Sequence, residues 1–485
     1  MSYPDRPIVI VSNRGPVTFT ATREADRTVI GAKRGSGGLV SGLAPLLESG
    51  DARWVAAALG DGDRLFASIG SAESPFSPAS TDGDGRGLVI DHSDALSDRV
   101  DLVTMTPEEL SAYYDVVSNE TLWFIHHGLY DLVRSPSFGD DWWDAWATYE
   151  VVNARFAGMV AETAPEGAAI LIQDYHLTLV GEFLREQRPD LSLVHFHHTP
   201  FSGPDNLRVL PDRARNMMLR ALAGHDAVGF HTHLWGRNFQ QSLDIFGMNR
   251  PDRARTFSST LSSDIDAIRQ TADSPECSDE LARLNERYGD QKLVVRVDRM
   301  ELSKNIVRGF EAFDLMLETR PDLRGRVSFL ACCYPSRENV AAYRRYRDEV
   351  VSTAQRVNER WANANWTPID LETDDNYPRS VAALQRYDAL LVNPIRDGLN
   401  LVAKEGPAIN ERSGQLVLST QAGAWTEMSD AAFGVHPFDV SATAAALASA
   451  LDLDLDSRAE RADVLRSAAT ARTPGDWLTD QLNGL

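Results

Sequence analysis

Short runs of β-branched and other apolar residues alternate with longer stretches of helical periodicity along most of this 485-residue chain. Continuous apolar strands that alternate with helices are typical of parallel sheets covered by helices on both faces. The pattern therefore predicts an α/β fold with doubly wound sheets. The predicted strands are Pro7–Ser12, Trp54–Leu59, Val100–Met105, Ala169–Gln173, Leu191–Phe196, Ala227–His231, Lys292–Val297, Val327–Cys332, Ala389–Asn393 and Gln415–Ser419.

The alternation pauses over one polar segment, Thr256–Glu280, and restarts at Lys292 with a second series of strands and helices. We place a domain boundary within residues 262–285, which predicts two Rossmann-like lobes, 1–262 and 263–460, with a cleft between them. The remaining tail is residues 461–485. Ligands of such folds bind beyond the carboxyl ends of the strands.

Charge and composition exclude several classes of partner. The formal net charge is −22, which argues against broad binding of nucleic acid or of an anionic membrane surface. Three cysteines cannot form a disulfide framework, and neither a signal peptide nor an apolar run of 18 residues is evident. We therefore expect a cytoplasmic protein that is not embedded in a membrane.

Polar residues follow the predicted strands of the first lobe. A glycine-rich segment, Gly35–Gly42, opens a predicted helix and could bring backbone N–H groups close to an anion. Asp174 ends one strand, and the next strand ends in His195, His197 and His198. No carboxylate pattern completes a zinc site there, so we predict no metal and expect His198, at the strand end, to contact a ligand.

The second lobe repeats this arrangement with charged residues. Arg299 and Lys304 lie five residues apart where a strand leads into a helix, a spacing that suits a diphosphate. Asp397 and Asn400 occupy a second strand-to-helix turn, and Glu405 follows about one and a half helical turns later. A carboxylate at that position can accept hydrogen bonds from both hydroxyls of a ribose.

Together these segments resemble the trehalose-6-phosphate synthase family of glycosyltransferases, from Ser12 to about Gly434. The resemblance implies the two-lobed GT-B fold, with the tail 461–485 forming a helix that packs back across the lobes. The matching pieces are Ser12–Pro16, Gly35–Gly42, Tyr113–Tyr114, Ser118–Asn119, Leu122–Trp123, Asp174–Leu177, His198, Asp298–Arg299, Ser303–Lys304, Ser336–Arg337, Asp397–Glu405 and Ala422–Ala424.

The resemblance also implies an activity: transfer of glucose from a nucleotide sugar to glucose 6-phosphate with retention of the anomeric configuration, through a same-face, internal-return mechanism. Beyond these two substrates it implies no cofactor or metal, and it is compatible with a homo-oligomer. The residues implied at the reaction centre are Asp174, His198, Arg299, Lys304 and Asp397. Those implied to bind the donor are Gly38, His198, Arg299, Lys304, Asp397, Gly398, Asn400, Leu401 and Glu405. Those implied to bind the acceptor are Arg14, Tyr114, Trp123, Asp174 and Arg337.

Departures from the family pattern keep alternatives open. The segment Val55–Asp61 lacks the family's tryptophan, and Asn305 replaces a glycine, as it does in relatives that couple cyclitol phosphates to make validoxylamine phosphate. Two alternative functions therefore stay open. One is a pseudo-glycosyltransferase that couples cyclitol phosphates, and the other is a catalytically silent homologue that binds sugar phosphates. The acidic segment Asp370–Asn376 is expected to be a loop near the nucleobase. It slightly favours GDP-glucose over UDP-glucose, because guanine presents hydrogen-bond donors on its pairing edge.

Overall fold

A computed structural model describes residues 6–24, 27–35, 38–48, 52–68, 88–90, 99–248 and 254–485. The chain forms two compact units. The first comprises Met1–His126, Tyr130–Ser259 and Gly475–Leu485, and the second comprises His127–Leu129 and Thr260–Pro474. Apart from the short segment His127–Leu129, the chain enters the second unit after Ser259, and its last residues return to the first.

The first unit contains a seven-stranded parallel sheet in the order β10-β9-β8-β7-β1-β4-β6 and a separate three-stranded sheet in the order β2-β3-β5. In the smaller sheet β2 and β3 are antiparallel. The strands are β1 Ile8–Ser12, β2 Val17–Glu24, β3 Arg27–Arg34, β4 Ala52–Ala57, β5 Leu88–Ile90, β6 Val100–Val103, β7 Ala169–Gln173, β8 Ser192–His197, β9 Ala227–Phe230 and β10 Arg255–Ser258.

Helices flank this sheet, and one helical segment has an unusual geometry. Residues Ser111–Leu122 form a π-helix, in which the Trp123 N–H donates to the carbonyl of Ser118, five residues earlier. The Ser118 and Thr121 hydroxyls also donate to carbonyls five residues back. The α-helices up to residue 245 are α1 Gly38–Glu48, α2 Asp61–Ser68, α3 Pro107–Leu110, α4 Trp123–His127, α5 Asp140–Thr163, α6 Val180–Gln187, α7 Pro204–Leu207, α8 Asp212–Ala223 and α9 His233–Ile245.

The second unit is built on a six-stranded parallel sheet in the order β13-β12-β11-β14-β15-β16. Its strands are β11 Lys292–Arg299, β12 Val327–Tyr334, β13 Ile369–Glu372, β14 Ala389–Val392, β15 Gln415–Ser419 and β16 Phe433–Val435. Its helices are α10 Ile265–Ala272, α11 Pro275–Tyr288, α12 Ile306–Thr319, α13 Ala341–Trp361, α14 Tyr377–Arg386, α15 Val402–Ile409, α16 Trp425–Met428, α17 Val440–Asp452 and α18 Leu455–Thr470.

The last helix, α19 Pro474–Asn483, packs within the first unit. Its Trp477 is completely buried and lies edge-on to Phe196 of β8. Gln481 accepts a hydrogen bond of 3.2 Å from Gln173 of β7, and Asp480 accepts one of 2.7 Å from the Ser259 hydroxyl. These contacts make α19 part of the first unit's core.

Every strand predicted from the sequence is present, with ends that differ by at most two residues. The polar segment Thr256–Glu280, where the alternation in the sequence pauses, holds the end of β10, helix α10 and the start of α11, and its Asp264 and Ser274 cap those helices. The expectation that the acidic segment Asp370–Asn376 is a loop is wrong at its start, because Ile369–Glu372 pairs with β12 as strand β13.

Among the described residues no helix is both long and apolar enough to cross a membrane.

Candidate active site

Asp174 lies directly after β7, in a backbone conformation that few residues other than glycine adopt. Its φ is +70°, and its N–H continues the sheet by donating to the Phe196 carbonyl at 2.8 Å. The Asp174 carboxylate accepts hydrogen bonds from the backbone N–H groups of His198, at 3.1 Å, and Thr199, at 3.3 Å. Strain of this kind is typical of functional sites, and the two bonds fix the carboxylate beside His198.

His198 follows β8, and its side chain is half-buried. Its Nε2 lies 3.0 Å from Oε1 of Gln173, and its ring contacts the rings of Phe196, His231 and Trp477. Burial, with a smaller contribution from His231, lowers the pKa of His198 well below its ordinary value. The imidazole is therefore neutral near pH 7 and can donate one hydrogen bond and accept another.

The acceptor candidates of the first unit cluster around the π-helix. Arg14, exposed after β1, donates to the Tyr114 hydroxyl at 3.5 Å, and the Tyr114 ring stacks on His176 with centroids 5.6 Å apart. The neighbouring Tyr113 donates to Asn13 at 3.0 Å, which ties the π-helix to the end of β1. The structure thus joins Arg14 and Tyr114.

Two further candidates of the first unit differ from these in exposure. Trp123 is 3% exposed, with its ring edge-on to Phe124. Its indole is therefore packed inside the protein rather than offered on a surface. Gly38 is the first residue of α1, and the preceding Ser36 and Gly37 lie outside the described residues.

In the second unit Lys304 and Asp397 form the central ion pair of the candidate donor site. Lys304 Nζ lies 2.8 Å from Oδ2 of Asp397, which also accepts a hydrogen bond of 3.2 Å from Asn400. Burial alone would lower the pKa of Lys304, but Asp397 and Asp298 outweigh it and raise that pKa to about 12. Burial would likewise raise the pKa of Asp397, yet Lys304 holds it below its usual value. Both groups are ionised at neutral pH.

The turn after β14 carries the other donor candidates, Gly398, Asn400 and Leu401. Asn400 has a φ of +75°, and Leu401 precedes the first residue of α15. A Cβ on Gly423 would lie 2.0 Å from the Gly398 carbonyl oxygen, so only glycine permits the close approach of these two turns. The close approach of Gly423 and the left-handed conformation of Asn400 therefore constrain the backbone of this turn.

Glu405 lies in the first turn of α15 and accepts a hydrogen bond of 2.9 Å from the Ser263 hydroxyl. Burial raises the pKa of the Glu405 carboxyl, and the bond from Ser263 opposes that rise. The adjacent Lys404 is fully buried and paired with Glu427 at 3.1 Å, and Glu427 also accepts from Thr260. Residues 260–263 therefore hold the helix that carries Glu405.

Arg299 and Arg337, predicted to bind donor and acceptor phosphates respectively, are both near Glu301. Arg299 Nη1 lies 3.2 Å from Glu301 Oε1, and Arg337 Nη2 lies 3.9 Å from the same oxygen. Arg337 has a φ of +50° and donates to the Tyr343 hydroxyl at 2.5 Å. Burial would raise the pKa of Glu301, but Arg299 and Arg337 outweigh it and lower that pKa.

Arginines engage two of the carboxylates expected to face the nucleobase. Asp370 accepts a hydrogen bond of 2.6 Å from Tyr288 and is paired with Arg287. Glu372 is paired with Arg379 at 2.6 Å. The expectation that the whole segment 370–376 is a base-reading loop therefore needs correction: its exposed acidic residues are Asp374 and Asp375.

Sequence reasoning missed several residues of the site. Glu301, Tyr343 and Ser263 are brought in by the fold and have no separate signal in the sequence. Arg296 does have one, because an arginine within the buried apolar run Leu293–Val297 requires a partner. It is completely buried beside Asp298.

Within the described residues no group of three or more His, Cys, Asp or Glu side chains is arranged to hold a metal ion.

Two units of parallel sheet, with polar and charged side chains after the strand ends, match the GT-B fold of glycosyltransferases. The chain belongs to glycosyltransferase family 20, whose model matches residues 6–485, as the sequence motifs predict. A trehalose-6-phosphate synthase of Mycobacterium avium is 29% identical over 100% of this chain and 96% of its own length. A bifunctional trehalose-6-phosphate synthase/phosphatase of Thermoproteus tenax is 31% identical over 79% of this chain. The matched region covers 53% of the length of that protein.

Solved structures agree with this assignment. The E. coli protein solved with bound UDP-2-fluoro glucose superposes with a TM-score of 0.81 at 25% identity, covering 98% of each chain. A UDP-forming α,α-trehalose-phosphate synthase from Burkholderia xenovorans, solved in complex with glucose 6-phosphate, gives a TM-score of 0.79 at 26% identity. That match covers 98% of this chain and 99% of the other.

Proposed function

We propose that this protein is a retaining glucosyltransferase that moves glucose from a nucleotide sugar to glucose 6-phosphate, releasing trehalose 6-phosphate and a nucleoside diphosphate. The observation that carries the proposal is the cluster of Lys304, Asp397 and Asn400 near the carboxyl ends of β11 and β14, in a member of family 20. Relatives and solved structures named for the same synthesis, with a nucleotide sugar and glucose 6-phosphate as ligands, support it.

In this proposal the donor diphosphate is bound by Arg299 and Lys304. The departing diphosphate gains negative charge, and a fixed cation stabilises that charge without having to reorganise. Lys304 suits this role because its pKa of about 12 keeps it cationic throughout the physiological range. Arg299 suits it because its guanidinium is partly exposed and can form paired hydrogen bonds with phosphate oxygens.

The sugar and nucleoside of the donor are assigned to the neighbouring turn and helix. Asp397 and Asn400, with the backbone around Gly398 and Leu401, would contact hydroxyls of the glucose, together with Gly38 and His198. Glu405, already bonded to Ser263, would accept hydrogen bonds from the ribose. A carboxylate is the side chain that can accept from two adjacent hydroxyls at once.

The acceptor phosphate is assigned to Arg14, Tyr114 and Arg337, and the acceptor hydroxyls to Asp174. Trp123, which the resemblance also places at the acceptor, is 3% exposed, so its role in this proposal is to pack behind these residues. In the internal-return mechanism the leaving phosphate oxygen removes the proton from the attacking hydroxyl, and the new bond forms on the same face of the glucose. No carboxylate nucleophile is needed, so Asp174 orients the acceptor hydroxyl. Holding both reactants in one geometry supplies much of the reduction in barrier. We propose that catalysis uses no cofactor beyond the two substrates, and that the enzyme acts in the cytoplasm.

The narrower part of the proposal is a preference for GDP-glucose over UDP-glucose. It depends on Asp374 and Asp375, whose exposed carboxylates can accept from the N1–H and N2–H₂ groups of guanine. Uracil presents mostly acceptors on its pairing edge, so these carboxylates would serve it less well. The Burkholderia xenovorans relative is described as UDP-forming, which makes the base the first property to measure.

The test is a donor screen in which UDP-, GDP- and ADP-glucose are each offered with glucose 6-phosphate, and separately with a cyclitol phosphate. We expect nucleoside diphosphate release with glucose 6-phosphate, fastest from GDP-glucose, and an α,α-linked product identified by NMR and mass spectrometry. Turnover only with the cyclitol would establish the pseudo-glycosyltransferase instead. Tight binding of donor and acceptor without any product would establish a silent homologue.

A further inference from the structure

A buried arginine lies directly behind the proposed diphosphate site. Arg296 is on the central strand β11, and none of its side chain is exposed. A charge in such a position is costly unless a buried group of opposite charge offsets it. The roles proposed above leave this guanidinium without a function.

The contacts of Arg296 lead to Lys304. Its Nε and Nη2 donate to Oδ2 of Asp298 at 3.1 and 2.8 Å, and Nη2 also donates to the backbone carbonyl of Lys304 at 2.9 Å. One guanidinium therefore fixes both the main chain of Lys304 and a carboxylate that faces its ammonium group.

The charges around Lys304 explain why Asp298 needs such a partner. Lys304 Nζ lies 2.8 Å from Oδ2 of Asp397 and 3.8 Å from Oδ1 of Asp298. Asp298 is only 8% exposed, so its charge is poorly screened by water. The bonds from Arg296 to Oδ2 give the Asp298 carboxylate a cationic partner of its own. Without it, Asp298 would attract the ammonium away from an incoming diphosphate.

The opposing helix leaves room for this guanidinium. A Cβ built on Gly309 of α12 would lie 2.5 Å from Nη1 of Arg296, closer than real contacts allow. Since three hydrogen bonds hold the guanidinium, a methyl group at Gly309 would have to displace it. Gly309 and Arg296 therefore belong to one arrangement.

We propose that Arg296 is a positioning residue of the donor site: it neutralises Asp298 and anchors the Lys304 backbone, so that the Lys304 ammonium is available to the donor diphosphate. This inference deepens the proposed function and rests on it. Arg296 itself touches no substrate in this scheme.

The experiment compares Arg296→Met with Arg458→Met. Arg458 is a matched control, because it is also buried in the second unit and pairs with an aspartate, Asp388, at 3.2 Å. Binding of GDP and UDP is measured by calorimetry, KM for both substrates and kcat by turnover, and folding by thermal unfolding. We expect Arg296→Met to weaken diphosphate binding and raise the donor KM about tenfold or more. In Arg296→Met the KM for glucose 6-phosphate should change less than about twofold. Arg458→Met should leave both KM values and kcat near their original values.

A second variant distinguishes loss of the charge that neutralises Asp298 from loss of the packing of the Arg296 side chain. It also covers the case in which Arg296→Met fails to fold. The double variant R296M/D298N removes both buried charges, so it should bind GDP or UDP better than Arg296→Met and close to Asp298→Asn alone. Such an interaction between the two substitutions is what coupled residues show. Gly309→Ala, which keeps both charges, should weaken diphosphate binding in the same direction as Arg296→Met.

The inference is wrong if folded Arg296→Met binds both diphosphates as the original protein does, or if its losses match those of Arg458→Met in every constant. The inference is also wrong if adding D298N to Arg296→Met does not restore any of the lost diphosphate binding. The proposed function fails separately, when the unaltered protein binds a nucleoside diphosphate but forms no disaccharide phosphate. In that case the binding comparison still decides the role of Arg296.

Discussion

Lys304 shows how a single charged side chain can be held ready for an anion. It is 16% exposed and lies between two carboxylates, Asp397 at 2.8 Å and Asp298 at 3.8 Å. A buried cation stays charged only when such partners offset the loss of hydration. When a diphosphate binds here, a phosphate oxygen replaces a protein carboxylate as the partner of the Lys304 ammonium. The ammonium therefore need not be desolvated again.

Substitution of Lys304 and of Arg337 should separate the two substrates. Lys304→Ala should raise the donor KM roughly ten- to hundredfold, because a charge-assisted hydrogen bond to the diphosphate is lost, and should change the KM for glucose 6-phosphate little. Arg337→Ala should have the reverse effect. Steady-state kinetics with each substrate varied in turn measures both.

Lys33→Ala is the control for these variants, because Lys33 is exposed on β3. It should leave both constants unchanged. Equal effects of Lys304→Ala on donor and acceptor would contradict the assignment of residues to the two substrates.

At the residue scale the sequence predicted the groups that follow strand ends, such as Asp174, Lys304 and Asp397, because strand ends can be located from apolar runs. The partners of these groups could not be predicted. Glu301 reaches Arg337 across 36 residues of sequence, and Ser263 reaches Glu405 across 142. Only the packing of helices and strands brings such pairs together.

Helix α19 shows what one element contributes to a site that lies elsewhere in the sequence. Trp477 packs edge-on against Phe196, with centroids 5.1 Å apart, and its ring is 5.6 Å from that of His198. The helix thus supports the residue proposed to contact the donor glucose. A large buried aromatic side chain in such a place contributes both to stability and to orientation.

Removing that side chain should destabilise the protein markedly. Trp477→Ala should lower the free energy of unfolding by about 3–5 kcal/mol, the usual cost of deleting a fully buried aromatic side chain. Urea unfolding followed by fluorescence and circular dichroism measures the loss. Trp143→Ala should cost clearly less, because Trp143 is only half-buried. Equal losses for the two variants would show that α19 does not support the core.

At the element scale the buried parallel strands were predictable, because their apolar runs differ from the polar segments between them. The small sheet β2-β3-β5 was missed, because β2 is not an apolar run: it alternates buried Val17 and Phe19 with exposed threonines, the pattern of a half-buried strand. Helices α10 and α11 lie in the polar segment where the sequence shows only a pause, because their caps, Asp264 and Ser274, are residue types that are also common in loops. The π-helix, whose backbone bonds join residues five apart, has no signal in the apolar periodicity.

For the whole molecule, the net charge of −22 argues against binding of extended polyanions at the general surface. It does not describe the local charge at the candidate site. Arg14 and Tyr114 are joined in the first unit, and Arg299, Lys304 and Arg337 provide cations in the second. The proposed function places its two phosphorylated ligands at these cations, while the acidic general surface repels extended polyanions.

Buried histidines should make the stability of the protein depend on pH. Burial lowers the pKa of His195 and of His198 well below its ordinary value, and that of His225 to about 4. Between pH 6.5 and about 4 the unfolded chain binds protons that the folded chain does not, so the free energy of unfolding falls as the pH falls. The slope is about 1.4 kcal/mol per pH unit for each full proton of difference.

Thermal unfolding between pH 7.5 and 5 measures this effect, and we expect the unfolding midpoint to change little above about pH 7 and to fall as the pH drops below about 6.5. His225→Gln, whose side chain takes up no proton there, should show a shallower dependence. A midpoint that stays constant or rises on acidification would contradict the burial of these histidines as neutral groups.

The return of α19 to the first unit has a consequence for the order in which the protein is made. Residues 475–485 are translated after the whole of the second unit, yet Trp477 completes the packing around Phe196 in the first. The core of the first unit therefore cannot be completed when its own strands have been translated, but only after the entire second unit has been made.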